Sequence, residues 1–126
     1  MNLDISKMTI AAAAEGMRAK QFSSVELTQA VLDAIKEKDT EVKAYLTVDE
    51  EGALAGAREA DNRRAAGEDG DMLGIPVAMK DIFNVKGQPC TCASKILEGY
   101  IAPYDATVTK KLREAGAIPT GRVNMD

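Results

Sequence analysis

The sequence predicts an α/β chain, and three observations carry that prediction. Segments with helical spacing or strong helix caps fill the first half, up to Gly67. The run Ile75 to Met79 then alternates apolar and small residues and ends in Lys80, as a strand would. A third segment, bounded by the helix cap Asp105 and the stop Gly116, separates that run from a second strand-like stretch, Ala117 to Val123. Strand, helical crossover and second strand is the arrangement a parallel pair requires. Helices layered on such a pair define the class. The chain divides into a helical part, 1–67, and a strand–helix–strand part, 73–123.

Each element has a local cause. Ser6 or Thr9 can cap a first helix running from Ile10 to about Lys20. Ala11 to Ala14 favour it, Gly16 weakens it, and Ile10, Ala13, Ala14 and Met17 form its apolar face. Ser23 with Glu26 is a capping box that opens a second helix. Its stripe of Leu27, Ala30, Val31, Ala34 and Ile35 predicts an end near Lys38. Val42, Ala44, Leu46 and Val48 alternate as a short strand. Asp49 caps a third helix, with Glu50 and Glu51 at its positive end and a narrow apolar face through Leu54 and Ala57. Gly67 stops it, and Glu68 to Asp71 read as a mobile polar connection.

Beyond the Lys80 strand, Gly87 to Pro89 mark a turn. The last helix should turn Val108, Leu112 and Ala115 inward. Pro119 sits inside the final strand and removes a ladder donor, which predicts an edge strand or a bulge there.

Composition narrows the function. With 45% hydrophobic and 29% charged residues the 126-residue chain is globular and long enough for one modest core. A net charge of −4 without a basic run argues against a phosphate-backbone grip. Only 4% aromatic residues leave no base-stacking platform. No apolar run approaches a membrane span, and MNLDISKM lacks the basic and apolar regions of a secretory signal. A cytoplasmic location is the expectation. Cys90 and Cys92 are too close for a relaxed disulfide, and with no histidine in the chain a zinc set is incomplete. No metal and no cofactor is expected in this chain.

Lys80 is the candidate catalytic residue. At a strand's period it shares a face with Pro76 and Ala78, at the end of a strand that reads as covered on both sides. Burial lowers a lysine's pKa from about 10.4 toward neutrality and makes a general base of it. Spacing alone favours a lysine that lays its methylenes on apolar surface and keeps its charge in water. Other reactive side chains have simpler roles. Ser94 fits a hydrogen bond to a turn backbone, and Ser23-Ser24 a helix cap. Asp81 fits a turn or cap, and Cys92 a packed thiol without a histidine base.

The wording around Lys80 goes further. GIPVAMKD, then Gly87 and TCASKIL at Thr91 to Leu97, resembles the amidase signature family. PYDATVTKKLREAGA and NMD at Asn124 to Asp126 follow in that family's order. The resemblance covers nearly the whole chain, and its specific part is Gly74 to Val108. Within the family, TCASKILE with PYDATV is most similar to the A subunits of bacterial glutamyl-tRNA(Gln) amidotransferases.

That resemblance implies the N-terminal part of an amidase-signature mixed sheet with helices on both faces. Residues 1–126 would be the first portion of a single amidase domain. It implies a serine–cis-serine–lysine mechanism in which Lys80 is the lysine. The two serines belong to a Gly/Ser-rich stretch that follows NMD in the family, and no Gly-Ser-Ser-Gly run occurs here. The complete protein would hydrolyse glutamine and pass ammonia to Glu-tRNA(Gln), while residues 1–126 alone would be inactive. The implied partners are a B subunit, which holds tRNA, ATP and Mg, and a small C subunit that wraps the A subunit. Gly67, Gly70 and Gly74 lack the Lys-Ser or Lys-Thr of a phosphate-binding loop. The cut sheet predicts a homo-oligomer or a loosely packed monomer for 1–126, with Ile75, Val77 and Met79 facing water. Two other readings remain: a general amide hydrolase of the same family, and a non-catalytic interaction module. A reading frame that continues into a Gly/Ser-rich segment would exclude the module.

Overall fold

The computed structural model describes residues 3–125. Asp126, the acidic end of the NMD run, lies outside them. The described helices are α1 Ile10–Arg18, α2 Ser24–Val42, α3 Glu50–Ala65 and α4 Thr107–Glu114. The strands are β1 Tyr45–Val48, β2 Pro76–Lys80 and β3 Ile118–Val123, and a 3₁₀ turn spans Lys95–Leu97. The sheet runs β1-β3-β2, with β3 antiparallel to β1 and parallel to β2. This is the predicted α/β class, with α4 in the crossover of the parallel pair.

The helix starts follow the caps read from sequence. Thr9 Oγ1 accepts from the Ala12 amide and opens α1, while Ser6 is taken up in a turn with Asp4. Gly16 does more than weaken α1: a Cβ there would lie 2.4 Å from the Phe22 ring, so the glycine makes room for that side chain. Ile10 is exposed, and the buried face of α1 is Ala13, Ala14 and Met17. Ser23 and Glu26 form the capping box of α2.

Asp61 of α3 completes that helix start. Its two carboxylate oxygens accept from the Ser24 amide at 2.8 Å and the Val25 amide at 3.1 Å. One carboxylate therefore satisfies two of the amides a helix leaves without partners, and clamps α2 to α3. α2 runs a turn past Lys38, to Val42, and closes on Lys43 in the left-handed conformation. Val42 consequently belongs to the helix and not to β1.

The core is built from small residues. Leu32 of α2, Ala53, Ala57 and Ala60 of α3, Leu73 and Ile118 of β3 form one cluster. Ala13, Met17, Phe22, Leu27 and Ile75 form a second, against which Val77 packs. Leu32 and Thr28 are the deep residues of α2, whereas Ala30, Val31, Ala34 and Ile35 are only half-buried. The predicted stripe of α2 thus meets the core at Leu27, and its later members lie along the margin of the buried face. α4 shows a similar shift. Val108 and Ala115 are exposed, and Thr109 is its buried residue. Asp105 does not cap α4. It accepts from the Lys86 amide and pairs with Arg113.

Three expectations change at the sheet and its approach. β2 is an edge among the described strands, yet Ile75 and Met79 are buried, Ile75 because α1 and α2 pack over the start of the strand. They do not face water as the cut-sheet expectation required. Pro119 stands in the central strand, and the ladder slips beside it, between Val77 and Ala78. The bulge alternative holds and the edge alternative does not. The physical reason is Thr120, whose hydroxyl donates to the Val77 carbonyl at 3.2 Å, next to the donor proline lacks. The Glu68 to Asp71 segment is held by side chains: Arg18 bonds Asp69 and Asp71, Arg63 bonds Glu68, and Arg64 reaches Asp69 and the Leu73 carbonyl.

Asp61→Ala leaves two helix-end amides without partners between α2 and α3. It should cost roughly 2 kcal/mol, the sum expected for a lost cap and a part-buried amide. Urea denaturation followed by circular dichroism measures it, and Asp61→Asn, which keeps one acceptor oxygen, should lose less.

Candidate active site

Lys80 is the last residue of β2 and pairs in register with Val123 of the central strand. The pleat turns its side chain away from the face of Met79. Lys80 is half-buried, and among the described residues no carboxylate comes within ion-pair distance of its ammonium. Its carbonyl accepts from the Phe83 amide at 3.1 Å, so the chain turns immediately after it. A lysine thus stands at the carboxyl end of a parallel strand, its backbone engaged and its ammonium without an ion-pair partner among the described residues. With Ala78 on the same face exposed and Lys80 half-buried, this geometry is also that of a lysine that lays its methylenes along apolar surface and keeps its charge in water.

The next residue is held more firmly still. Asp81 is 1% exposed and Arg122 of β3 also 1%. Arg122 Nε donates to Asp81 Oδ1 at 3.2 Å, and an Arg122 Nη2 hydrogen bond reaches the Phe83 carbonyl. Asp81 Oδ2 accepts from the Thr91 amide at 3.2 Å and from the Thr91 hydroxyl. The Asp81 carbonyl accepts from the Cys92 amide at 2.9 Å and from the Cys90 thiol at 3.6 Å. The Asp81 amide donates to the Val123 carbonyl at 3.0 Å, extending the ladder one residue past Lys80. Every polar group of Asp81 is used.

This is the turn role expected of Asp81, with a partner the sequence did not disclose. The available signal is Arg122 itself, a charged residue in a strand whose neighbours are apolar or small.

Thr91 to Ser94 complete the loop. Cys92 and Ala93 both take the left-handed conformation, with φ of 51° and 56°. Side chains with a Cβ adopt it at a cost of roughly 1–2 kcal/mol each. Here it is what swings the Cys92 amide back onto Asp81. Ser94 Oγ accepts from the Ile96 amide and caps the 3₁₀ turn, which is the structural role read for it. Ser23 caps α2, and the Ser24 hydroxyl donates to the Gly74 carbonyl at 2.8 Å, so neither is a nucleophile. Burial pushes the Cys90 thiol above its ordinary pKa, against the opposing pull of the Arg122 charge. It therefore holds its proton and its bond to Asp81. Among the described residues no three His, Cys, Asp or Glu side chains gather as a metal would require.

Truncating Asp81 strands the guanidinium of Arg122 inside the protein. Asp81→Ala should destabilise the chain by roughly 3–5 kcal/mol, the range for a buried pair that loses one partner. Replacing both members by apolar residues should cost less than removing the aspartate alone. Urea midpoints of the single and double variants give the comparison.

Known proteins supply the context for this geometry. The amidase family model matches residues 26–126. The A subunit of the Azotobacter vinelandii glutamyl-tRNA(Gln) amidotransferase is 52% identical over 120 residues, 95% of this chain and 25% of its own length. Its counterpart in a Geobacter species is 48% identical over 124 residues, 98% of this chain and 26% of its own. The chain thus spans about a quarter of the length of the curated relatives it matches. Among solved structures, the peptide amidase of Stenotrophomonas maltophilia superposes with a TM-score of 0.90 at 31% identity, over 95% of this chain and 25% of that one. With the family model spanning 101 residues of the chain and the fold shared, this chain belongs to the amidase family.

Proposed function

We propose that this chain is the lysine-bearing N-terminal part of an amidotransferase A subunit, a glutamine-hydrolysing amidase that supplies ammonia for converting Glu-tRNA(Gln) to Gln-tRNA(Gln). The observation that carries the reading is Lys80. It ends a parallel strand beside the central strand, with its own charge unpaired among the described residues and its neighbour Asp81 fixed on every side. The identity of 52% to an amidotransferase A subunit supports the choice of substrate.

In this reading Lys80 takes the proton of an attacking serine, relayed through a second serine. The relay lets the attacking serine oxygen bond to the amide carbon, the returned proton lets ammonia leave, and water then cleaves the acyl-serine through the same relay to release glutamate. Both serines and the oxyanion donors come from the Gly/Ser-rich stretch implied by the family resemblance. Residues 1–126 carry the base without the nucleophile, so no acyl transfer follows from them alone. ATP and Mg belong to the B subunit in this scheme, and a C subunit completes a cytoplasmic heterotrimer. Exposed apolar side chains such as Ile96 at 92% and Tyr104 at 61% support a chain that works covered by further protein. The likeness to a peptide amidase favours a second reading, an amide hydrolase acting on other amides. Comparing glutamine with a peptide amide as substrate of the full-length protein separates the two.

Lys80→Ala in the full-length protein should lower the maximal rate by about 10²–10⁴-fold, the usual loss of a positioned base. Lys80→Arg should not restore it, because a guanidinium keeps its proton. Near wild-type ammonia release from Lys80→Ala, in a glutamate dehydrogenase-coupled assay, would return Lys80 to a packing role. The purified 1–126 chain should release no ammonia above the uncatalysed rate in the same assay.

A further inference from the structure

We propose that Arg122, acting through Asp81 and Thr91, is the positioning residue for Lys80. The proposal rests on Lys80 being the base of the amidase reaction. Lys80 has to present its amine at one place, yet its own side chain is restrained by no ion pair among the described residues. The backbone it leaves sets where its stem starts, and that backbone is held from both sides. Upstream, Met79 is buried and registered against Arg122. Downstream, Asp81 is bound through its amide, its carbonyl and both carboxylate oxygens.

Arg122 joins these restraints. Its Nε holds the Asp81 carboxylate and its Nη2 holds the Phe83 carbonyl, so one planar guanidinium spans the turn that follows Lys80. Thr91 braces the same carboxylate from the loop side. The peptide between Lys80 and Asp81 then cannot rotate without breaking several buried hydrogen bonds together. Asp81 touches no reacting atom in this scheme. It transmits the position of β3 to the stem of the lysine.

The test is a double-mutant cycle in the full-length protein, with ammonia release from glutamine as the readout. Arg122→Lys keeps the buried charge but cannot reach both Asp81 and Phe83. It should lower kcat by about 10- to 100-fold, as expected for a reacting group displaced by a fraction of an ångström to an ångström, with KM for glutamine unchanged. Thr91→Val, which leaves both charges in place, should shift kcat in the same direction. In a Lys80→Ala background neither substitution should lower the residual rate further, because the group they position is gone.

Equal losses in both backgrounds would show that the cluster only holds the fold, and would overturn the proposal. A raised KM with kcat intact would overturn it as well. If Lys80→Ala itself keeps wild-type turnover, the functional reading fails and this inference with it. Wild-type turnover in Arg122→Lys beside a crippled Lys80→Ala defeats the positioning role alone.

Discussion

A carboxylate and a guanidinium shut away from water are expensive to bury, and the rest of this structure is arranged to meet that cost. The desolvation of each ion amounts to several kcal/mol, and attraction between them repays it only with good geometry and further hydrogen bonds. Asp81 has those bonds from Thr91, and Arg122 has one to Phe83. Securing them fixes where the loop after β2 must go. It brings Thr91 over the end of the strand, bends Cys92 and Ala93 into left-handed conformations, and seats the Cys90 thiol against the Asp81 carbonyl. Replacing Asp81 would therefore loosen a loop of a dozen residues and not a single contact. The same pair ties β2 to β3, so the parallel half of the sheet and the loop share one anchor.

A second carboxylate organises the helical part in the same manner. Asp61 closes the amino end of α2, and the small side chains around it, Ala53, Ala57 and Ala60, let α3 lie close against Leu32 and Ile118. With so few large side chains in α3, close approach supplies the contacts that bulk would otherwise give. Directed polar bonds then set the register that a smooth alanine surface leaves undetermined. In both halves of the chain an acidic side chain, satisfied by backbone amides or by arginine, defines how two elements meet.

Local signals explain what was legible in the sequence. The Ser23–Glu26 capping box, the Thr9 and Asp49 caps and the Gly67 stop depend on residues within one turn, and each stands where its spacing put it. The parallel strand–helix–strand unit was legible for the same reason, since each of its parts carries its own punctuation. The position of Lys80 at the end of β2 was legible too. What sequence could not supply was everything that joins residues far apart in the chain. Arg122 meets Asp81 across 41 residues, and Asp61 meets Ser24 across 37. The burial of Ile75 beside an edge strand needs α1 and α2 in place above it. Pro119 was read correctly as a disturbance of the ladder, but its tolerance in the central strand depends on the Thr120 hydroxyl reaching β2. The stripe on α2 was legible at Leu27 but did not disclose that Thr28 and Leu32 are the deeper residues, because an apolar face says that something covers it without saying what.

The strand order has a bearing on how the chain is made. Among the described strands β1 and β2 are not paired with each other; each pairs with β3, which begins at Ile118. A ribosome delivers residues from the amino end, at about 5–20 per second. During that time α1, α2 and α3 can form from neighbouring residues, but the two outer strands have no partner to pair with until the middle one emerges. Their pairing then closes long loops, whose entropy cost grows only with the logarithm of length. Pairing of these two strands therefore waits for β3, and until it emerges β1 and β2 lack that partner and stand within reach of chaperones or of neighbouring nascent chains.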